Sequence, residues 1–314
     1  MAAAVEVRGL TKSYGGVHAV RGIDLDIQAG KVTAVLGPNG AGKTTTMEIL
    51  EGFRQRDGGD VRVLGVDPRE GGRDLRERIG IVIQETATDP YLTPREVLAM
   101  HARYYPRPRA VDEVLELVGL TDKADARAKT LSGGQQRRLD VGLGIIGDPE
   151  LLFLDEPTTG FDPSARRGAW EVVRNLSRGG TTILLTTHYI DEAQALADEV
   201  VVIAAGRVVA SGPPELLTSQ QRSDAVATFL LPLGVSMAEL PVPGSVSGNG
   251  VVTVPLPPGE ETRVVHALTG WALERGLALA DFRVTRANLE DAYLALIGAG
   301  RNGASAADAH EVDA

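Results

Sequence analysis

The chain has 314 residues, a formal net charge of −10 at pH 7, 43% apolar and 24% charged residues, and no cysteine. That length holds one large or two smaller domains with real cores, and the lack of cysteine excludes disulfides and thiolate metal sites. The acidic balance argues against nucleic acid as the main ligand and against adsorption to an anionic membrane by charge alone. No apolar run approaches the roughly 20 residues that cross a bilayer, and Met1–Val7 lacks the basic-then-apolar order of a signal peptide.

From Val5 to about Gly30, apolar and polar residues alternate (Val5, Val7, Leu10, then Ile23, Leu25, Ile27), which predicts half-buried antiparallel strands. Val32–Leu36 is a short apolar, β-branched run and reads as a buried strand. It leads into Gly37-Pro38-Asn39-Gly40-Ala41-Gly42-Lys43-Thr44-Thr45, which fits G-x-x-x-x-G-K-[ST], and a helix follows from Thr44 to Leu50. A strand turning through glycines into a helix presents backbone N–H groups where an anion is favoured. Lys43 then reaches the β- and γ-phosphates of a nucleotide, and the Thr44 hydroxyl can ligate Mg²⁺.

Asp60–Gly65 predicts one more strand of the antiparallel sheet. Near-continuous apolar runs at Ile79–Ile83, Leu151–Leu154, Thr181–Thr186 and Val200–Ala204 join Val32–Leu36 in a parallel sheet covered on both faces. Between about Thr93 and Gly147 the pattern turns helical. Pro94 suits a first helical turn, and Val111, Val114, Leu115 and Val118 mark an amphipathic helix that stops at Gly119. This helical block, about residues 89–147, is an insertion in the α/β core.

Two further segments carry chemistry. The strand Leu151–Leu154 delivers Asp155 and Glu156 at its C-terminal end, where α/β sheets bind ligands. Paired acids there are costly without a cation, so Asp155 is read as a Mg²⁺ ligand and Glu156 as the group that activates water. A strand that merely meets solvent at an acidic turn is the plainer alternative. Ser132-Gly133-Gly134-Gln135 opens the helical stretch Leu139–Ile146 and offers a second helix start suited to an anion, though alone it reads as a capped helix. Arg137 and Arg138 are read as a solvated helix face or partners of acids, and His18, His101, His266 and His310 as surface or packing residues.

After Gly212-Pro213-Pro214 the character changes. Asp224–Leu231, Val251–Val254 and Leu279–Val284 read as strands, Glu261–Arg275 and Leu289–Ile297 as helices. The expected organisation is therefore a first domain over residues 1–219, a small α/β accessory domain over 220–298, and a disordered Gly/Ala/Asp-rich tail over 299–314.

The ordered set of motifs resembles the nucleotide-binding subunit of ATP-binding-cassette transporters over roughly residues 5–216: the loop Gly37–Thr45, the signature Leu131–Gln135, the strand Leu151–Glu156, the run Asp155–Gly160, Asp162, and His188 after the Thr181–Thr186 strand. The resemblance implies a P-loop ATPase with a RecA-like core, an antiparallel β subdomain and a helical signature subdomain. It implies ATP and Mg²⁺ as ligands and a head-to-tail dimer enclosing two ATP molecules. Ser132, Gly133, Gly134 and Gln135 would face the γ-phosphate held by the other copy. Gln84 would complete the Mg²⁺ shell, His188 would hold the γ-phosphate and water, Asp162 would link the two sites, and Tyr14 would stack on adenine. Phe161 stands where the family usually has leucine, an apolar exchange expected to alter packing and not chemistry.

Within the family the chain is most similar to the ATPase subunits of drug and antibiotic exporters such as daunorubicin-type pumps, on Ser132–Asp140 and on Asn288–Leu294. That implies a separate integral membrane permease holding the subunit at the cytoplasmic face of the membrane. A cassette ATPase acting on ribosomes or DNA, and an importer ATPase with a regulatory C-terminal domain, are the competing readings.

Overall fold

In the computed structural model, residues 3–83, 88–220, 225–285 and Tyr293 are described. The chain divides into two compact units, one built on Met1–Pro214 and one on Glu215–Ala295.

The first unit opens with β1 (Ala3–Tyr14) and β2 (Val17–Gln28), paired antiparallel. Gly15 and Gly16 join them with φ of +50° and +88°, the two left-handed positions that a tight hairpin turn requires. Next come β3 (Val32–Leu36), α1 (Lys43–Leu50) and β4 (Gly58–Val63), the last pairing with β1 to complete the sheet β2-β1-β4. α2 (Gly72–Arg78) and β5 (Ile79–Val82) lead to the helical block of α3 (Pro94–Ala102), α4 (Val111–Leu117) and α5 (Gly133–Ile145). Then β6 (Leu151–Asp155), α6 (Pro163–Arg178), β7 (Thr182–Thr187), α7 (Ile190–Leu196), β8 (Glu199–Ala204) and β9 (Arg207–Gly212) follow, and α8 (Pro214–Gln220) starts on Pro214 and belongs otherwise to the second unit.

The main sheet has the order β5-β6-β7-β3-β8-β9, parallel except for β9, which pairs antiparallel with β8. The five expected parallel strands stand within a residue or two of their sequence limits. β3 and β7 are buried along their whole length, as a sheet covered on both faces demands. Because β7 lies between β6 and β3 and all three run the same way, the residues following each strand emerge along one edge. One core joins the sheets: Val5, Ile23, Ile27 and Val61 pack with Leu50 of α1 and with Phe153, Leu184 and Ile203. Burying a side chain of Phe153's class is worth about 1.5–3 kcal/mol.

In the helical block, Thr93 caps α3. Its hydroxyl accepts from Glu96 N at 3.2 Å, and its own N–H donates to the Glu96 carboxylate at 2.8 Å, with Pro94 at the first helical position. Gly142 of α5 brings Leu98 and Val114 close: a Cβ there would lie 3.4 Å from each. Gly119, at φ +63°, ends the α4 segment as expected.

The second unit holds β10 (Ala225–Leu230), β11 (Ser245–Val246), β12 (Val251–Leu256), α9 (Glu261–Glu274) and β13 (Arg283–Thr285). Its antiparallel sheet has the order β11-β12-β10-β13 and buries Ala227, Phe229, Val252, Val254 and Leu256 with Leu268 of α9. The expected strand over Leu279–Val284 is displaced. Asp281 turns the chain at φ +55°, and pairing starts only at Arg283, while Leu279 and Phe282 pack on the core from the preceding loop. The helix expected over Leu289–Ile297 and the tail over 299–314 lie outside the described residues, except Tyr293, which is buried.

Candidate functional site

The loop after β3 is shaped by contacts that leave no room for side chains. A Cβ on Gly37 would fall 2.3 Å from the Ile203 carbonyl, and one on Gly42, at φ +101°, 2.4 Å from the Ala19 carbonyl. The turn is held by Ala41 N donating to Pro38 O at 3.2 Å and by Gly206 N donating to Ala41 O at 3.1 Å. Asn39 and Gly40 are exposed at its tip, and Thr44 is exposed and Thr45 half-buried on the first turn of α1. Gly42 precedes α1 with no side-chain cap, so the helix start presents backbone N–H groups.

Lys43 folds back over this loop. It is only 5% exposed, and its ammonium donates to Gly37 O at 2.7 Å and Pro38 O at 3.2 Å, 4.0 Å from the Glu156 carboxylate. Burial lowers its pKa, opposed by Glu156 and Asp155.

β6 delivers the acid pair beside it. Thr186 of β7 donates its hydroxyl to Asp155 and accepts from Glu156 N at 3.0 Å. Glu156 sits at φ +45°, a region costing a residue with a side chain about 1–3 kcal/mol. Its Oε2 accepts from the Thr159 hydroxyl at 3.1 Å, and its Oε1 lies 3.4 Å from His188 Nδ1, which has no hydrogen-bond partner among the described residues. His188 stacks on Tyr189 with ring centroids 4.0 Å apart. The structure thus brings Lys43, Asp155, Glu156 and His188 to one sheet edge from three segments of the chain.

Ser132 caps α5: its hydroxyl accepts from Gln135 N at 3.3 Å, and the Gln135 side chain accepts from Ser132 N at 2.9 Å. Ser132 and Gly133 are exposed, while Gly134 faces α6, where an added Cβ would lie 3.2 Å from the Ala165 Cβ. Exposed Asp162 caps α6 by accepting from Ala165 N at 3.0 Å. Tyr14 is 38% exposed, with Arg54 5.3 Å and Lys12 5.4 Å from its ring centre. Gln84 lies outside the described residues.

For Arg137 and Arg138 the solvated helix face needs correction, while pairing with an acid holds for Arg137, 3.9 Å from Asp140. Arg137 is no solvated residue: it is 7% exposed, and its guanidinium donates to the carbonyls of Ile83, Asp155 (3.0 Å) and Pro157 (3.2 Å). Burial lowers its pKa, against the pull of Asp140 and Asp155. Arg138 donates to Gly119 O at 2.9 Å and closes the end of α4. The reason is that α5 packs against both β5 and α4, where carbonyls and not water supply the acceptors.

Two buried acids were also missed. Fully buried Glu192 accepts from the Thr158 hydroxyl at 2.8 Å and the Trp170 indole at 3.1 Å, and burial raises its pKa. Glu51, at the end of α1, is pushed up to about 7 by burial, with Asp155 and Glu48 adding to the shift. Neither stands out in the sequence, since each is an acid in an ordinary helical stretch.

The donor set fits a polyphosphate with a hard cation: a ring of loop N–H groups, one buried ammonium, an exposed threonine hydroxyl and an acid at a strand end. Residues 20–159 match the family described as ABC transporter, and residues 225–288 match the C-terminal domain of ABC transporter domain-containing-like proteins. The chain is 39% identical to a daunorubicin/doxorubicin resistance ATP-binding protein of Streptomyces peucetius, over 94% of this chain and 92% of that one. It is 38% identical to a Nod factor export ATP-binding protein of Ralstonia nicotianae, over 94% of each chain. A dimeric bacterial ABC transporter cassette shares the fold at a TM-score of 0.58 and 23% identity, covering 67% of this chain and 98% of that one. The chain belongs to the ABC transporter family, as one of its ATP-binding and ATP-hydrolysing subunits.

Proposed function

We propose that this subunit drives export of a drug, antibiotic or other hydrophobic compound through a separate integral membrane permease, working as a head-to-tail pair at the cytoplasmic face of the membrane. Among the described residues no helix is long and apolar enough to cross a membrane, so attachment falls to the permease. The resistance and export roles in the names of the relatives favour export over import, and over action on ribosomes or DNA.

The observation that carries the catalytic reading is the Glu156 carboxylate set between Lys43 at 4.0 Å and His188 at 3.4 Å. Gly37–Thr45 cradle the triphosphate and Lys43 swings from its loop carbonyls to the β- and γ-phosphates. Tyr14 offers its ring to adenine. Mg²⁺ would be held by Thr44 and Asp155, with Gln84 completing the shell, and would supply positive charge against the phosphates. Glu156 takes the proton of the attacking water, and His188 holds that water and the γ-phosphate. Ser132, Gly133, Gly134 and Gln135 serve the nucleotide of the opposite copy, and Asp162 and Phe161 lie at the contact between copies. We assign residues 1–219 to the ATPase domain, and 220–298 to an accessory domain that pairs subunits or docks the permease.

Glu156→Gln tests this. It should keep nucleotide binding, slow turnover by a factor on the order of 10² or more, and trap an ATP-bound pair detectable by size-exclusion chromatography. Unchanged turnover removes Glu156 from the mechanism.

A further inference from the structure

Glu156 holds a costly backbone conformation, so something must brace it. Thr186 holds its N–H, and the carbonyls on either side of it, Asp155 and Pro157, are both gripped by Arg137. The same guanidinium holds the carbonyl of Ile83, the residue before Gln84, and stands 3.9 Å from Asp140 of its own helix. From the other side, Thr158 donates to fully buried Glu192 at 2.8 Å. The loop carrying Glu156 is therefore tied at consecutive residues by Thr186, Arg137 and Glu192, and the Arg137 tie comes from α5, the helix that Ser132 opens five residues earlier.

A buried guanidinium is an expensive way to fill space, and an apolar side chain of similar volume often packs as stably. What an apolar side chain cannot do is hold three carbonyls from two segments in fixed relation through a planar fork of donors. We propose that Arg137 is a positioning residue: it holds the Glu156 loop at its catalytic angle and transmits the position of the Ser132 end of α5 to Glu156. This rests on the roles given above to Glu156 and Ser132. It follows that engaging Ser132 with the nucleotide of the opposite copy alters the hydrolysis rate at the subunit's own nucleotide. The contact acts on turnover and leaves the phosphate loop, and hence affinity, largely alone.

The test uses the full chain with its membrane partner, and compares Arg137→Met and Arg137→Lys with Glu156→Gln. A fluorescent ATP analogue reads affinity, and steady-state hydrolysis reads kcat and KM. Arg137→Met should lower kcat about 10- to 100-fold, the scale of a small misplacement of a catalytic group, with KM and analogue affinity within about threefold. Arg137→Lys, which keeps the charge and can reach only some of the carbonyls, should fall between. If Arg137→Met does not fold, Arg137→Lys carries the test.

Mixed pairs separate the two effects. Pairing an Arg137→Met copy with a Lys43→Ala copy leaves one working site, which uses the altered copy's Glu156. Placing both changes in one copy, opposite a wild-type copy, leaves a site that uses the altered copy's Ser132. The first site should be slowed and the second should stay much nearer normal, because there the working Glu156 keeps its own Arg137. Loss of affinity in step with kcat, unchanged kcat, or equal slowing of the two sites overturns the proposal. If Glu156→Gln itself turns over normally, the functional reading fails first, and the Arg137 result is then read as structural.

Discussion

The two units of this chain use similar materials to different ends. Both pack helix on sheet, yet in the main sheet of the first the strands β5, β6, β7, β3 and β8 run parallel and their ends converge, so that residues from β3, β6 and β7 meet along one edge. In the second the sheet is antiparallel, and successive strand ends alternate between its two sides. Parallel order gathers chain ends and makes a site, and antiparallel order spreads them. The buried polar groups follow that division: Lys43, Glu51, Arg137 and Glu192 belong to the first unit, while the core cluster of the second is apolar.

The contrast is sharpest at Lys43. Lys43→Ala should weaken ATP binding by about 10²- to 10³-fold, as for removal of one partner of a buried charge interaction, measurable by isothermal titration calorimetry. A small loss would mean that the loop N–H groups alone hold the triphosphate. Phe229→Ala should do the reverse: it should destabilise the second unit by about 3–5 kcal/mol and leave ATP affinity unchanged. Calorimetry would show one transition shifted, and a matching loss of ATP affinity would mean that the units are not energetically separate.

Glu51 supplies a pH test inside the first unit. Its folded pKa of about 7 lies above the ordinary value of 4.5, so the folded state binds the extra proton. Stability of the nucleotide-free protein should therefore fall as pH rises from about 4.5 to about 7, and level off above. Glu51→Gln should remove that slope, a gain on the order of 3 kcal/mol at pH 8 and almost none at pH 4. Thermal unfolding at the two pH values decides it, and an equal effect at both rejects the assignment. The smallest effect expected is on ATP affinity when the chain is cut after residue 219. Binding should be unchanged, because every residue assigned to the nucleotide lies at or before His188. Pairing or membrane association should weaken in the same truncation, and normal assembly would leave the second unit without the proposed role.

Much of the first unit was legible because its signals are local. The alternation of Val5, Val7 and Leu10, the apolar run of β3 and Pro94 in the first turn of α3 each act within a few residues. β9 was not foreseen, since Arg207–Gly212 has only a brief apolar run and pairs at the sheet edge through backbone bonds to β8. The misplaced strand near Leu279 fails for a related reason: its apolar residues pack from a turn, and sequence pattern does not separate burial by a strand from burial by a loop.

By itself the sequence determined the phosphate loop and the acid pair, because glycines and a lysine within one turn, or two acids ending an apolar strand, have few other physical uses. It also determined the capped start of α5. Only the tertiary structure decided what those groups face: His188 3.4 Å from Glu156, across 32 positions of chain, and Arg137 turned inward onto the carbonyls of Ile83, Asp155 and Pro157. Helical and strand periods tell which side of an element is apolar. Whether a polar side chain on it meets water or a buried acceptor depends on segments far away in the chain, which pack there only once the sheet has formed.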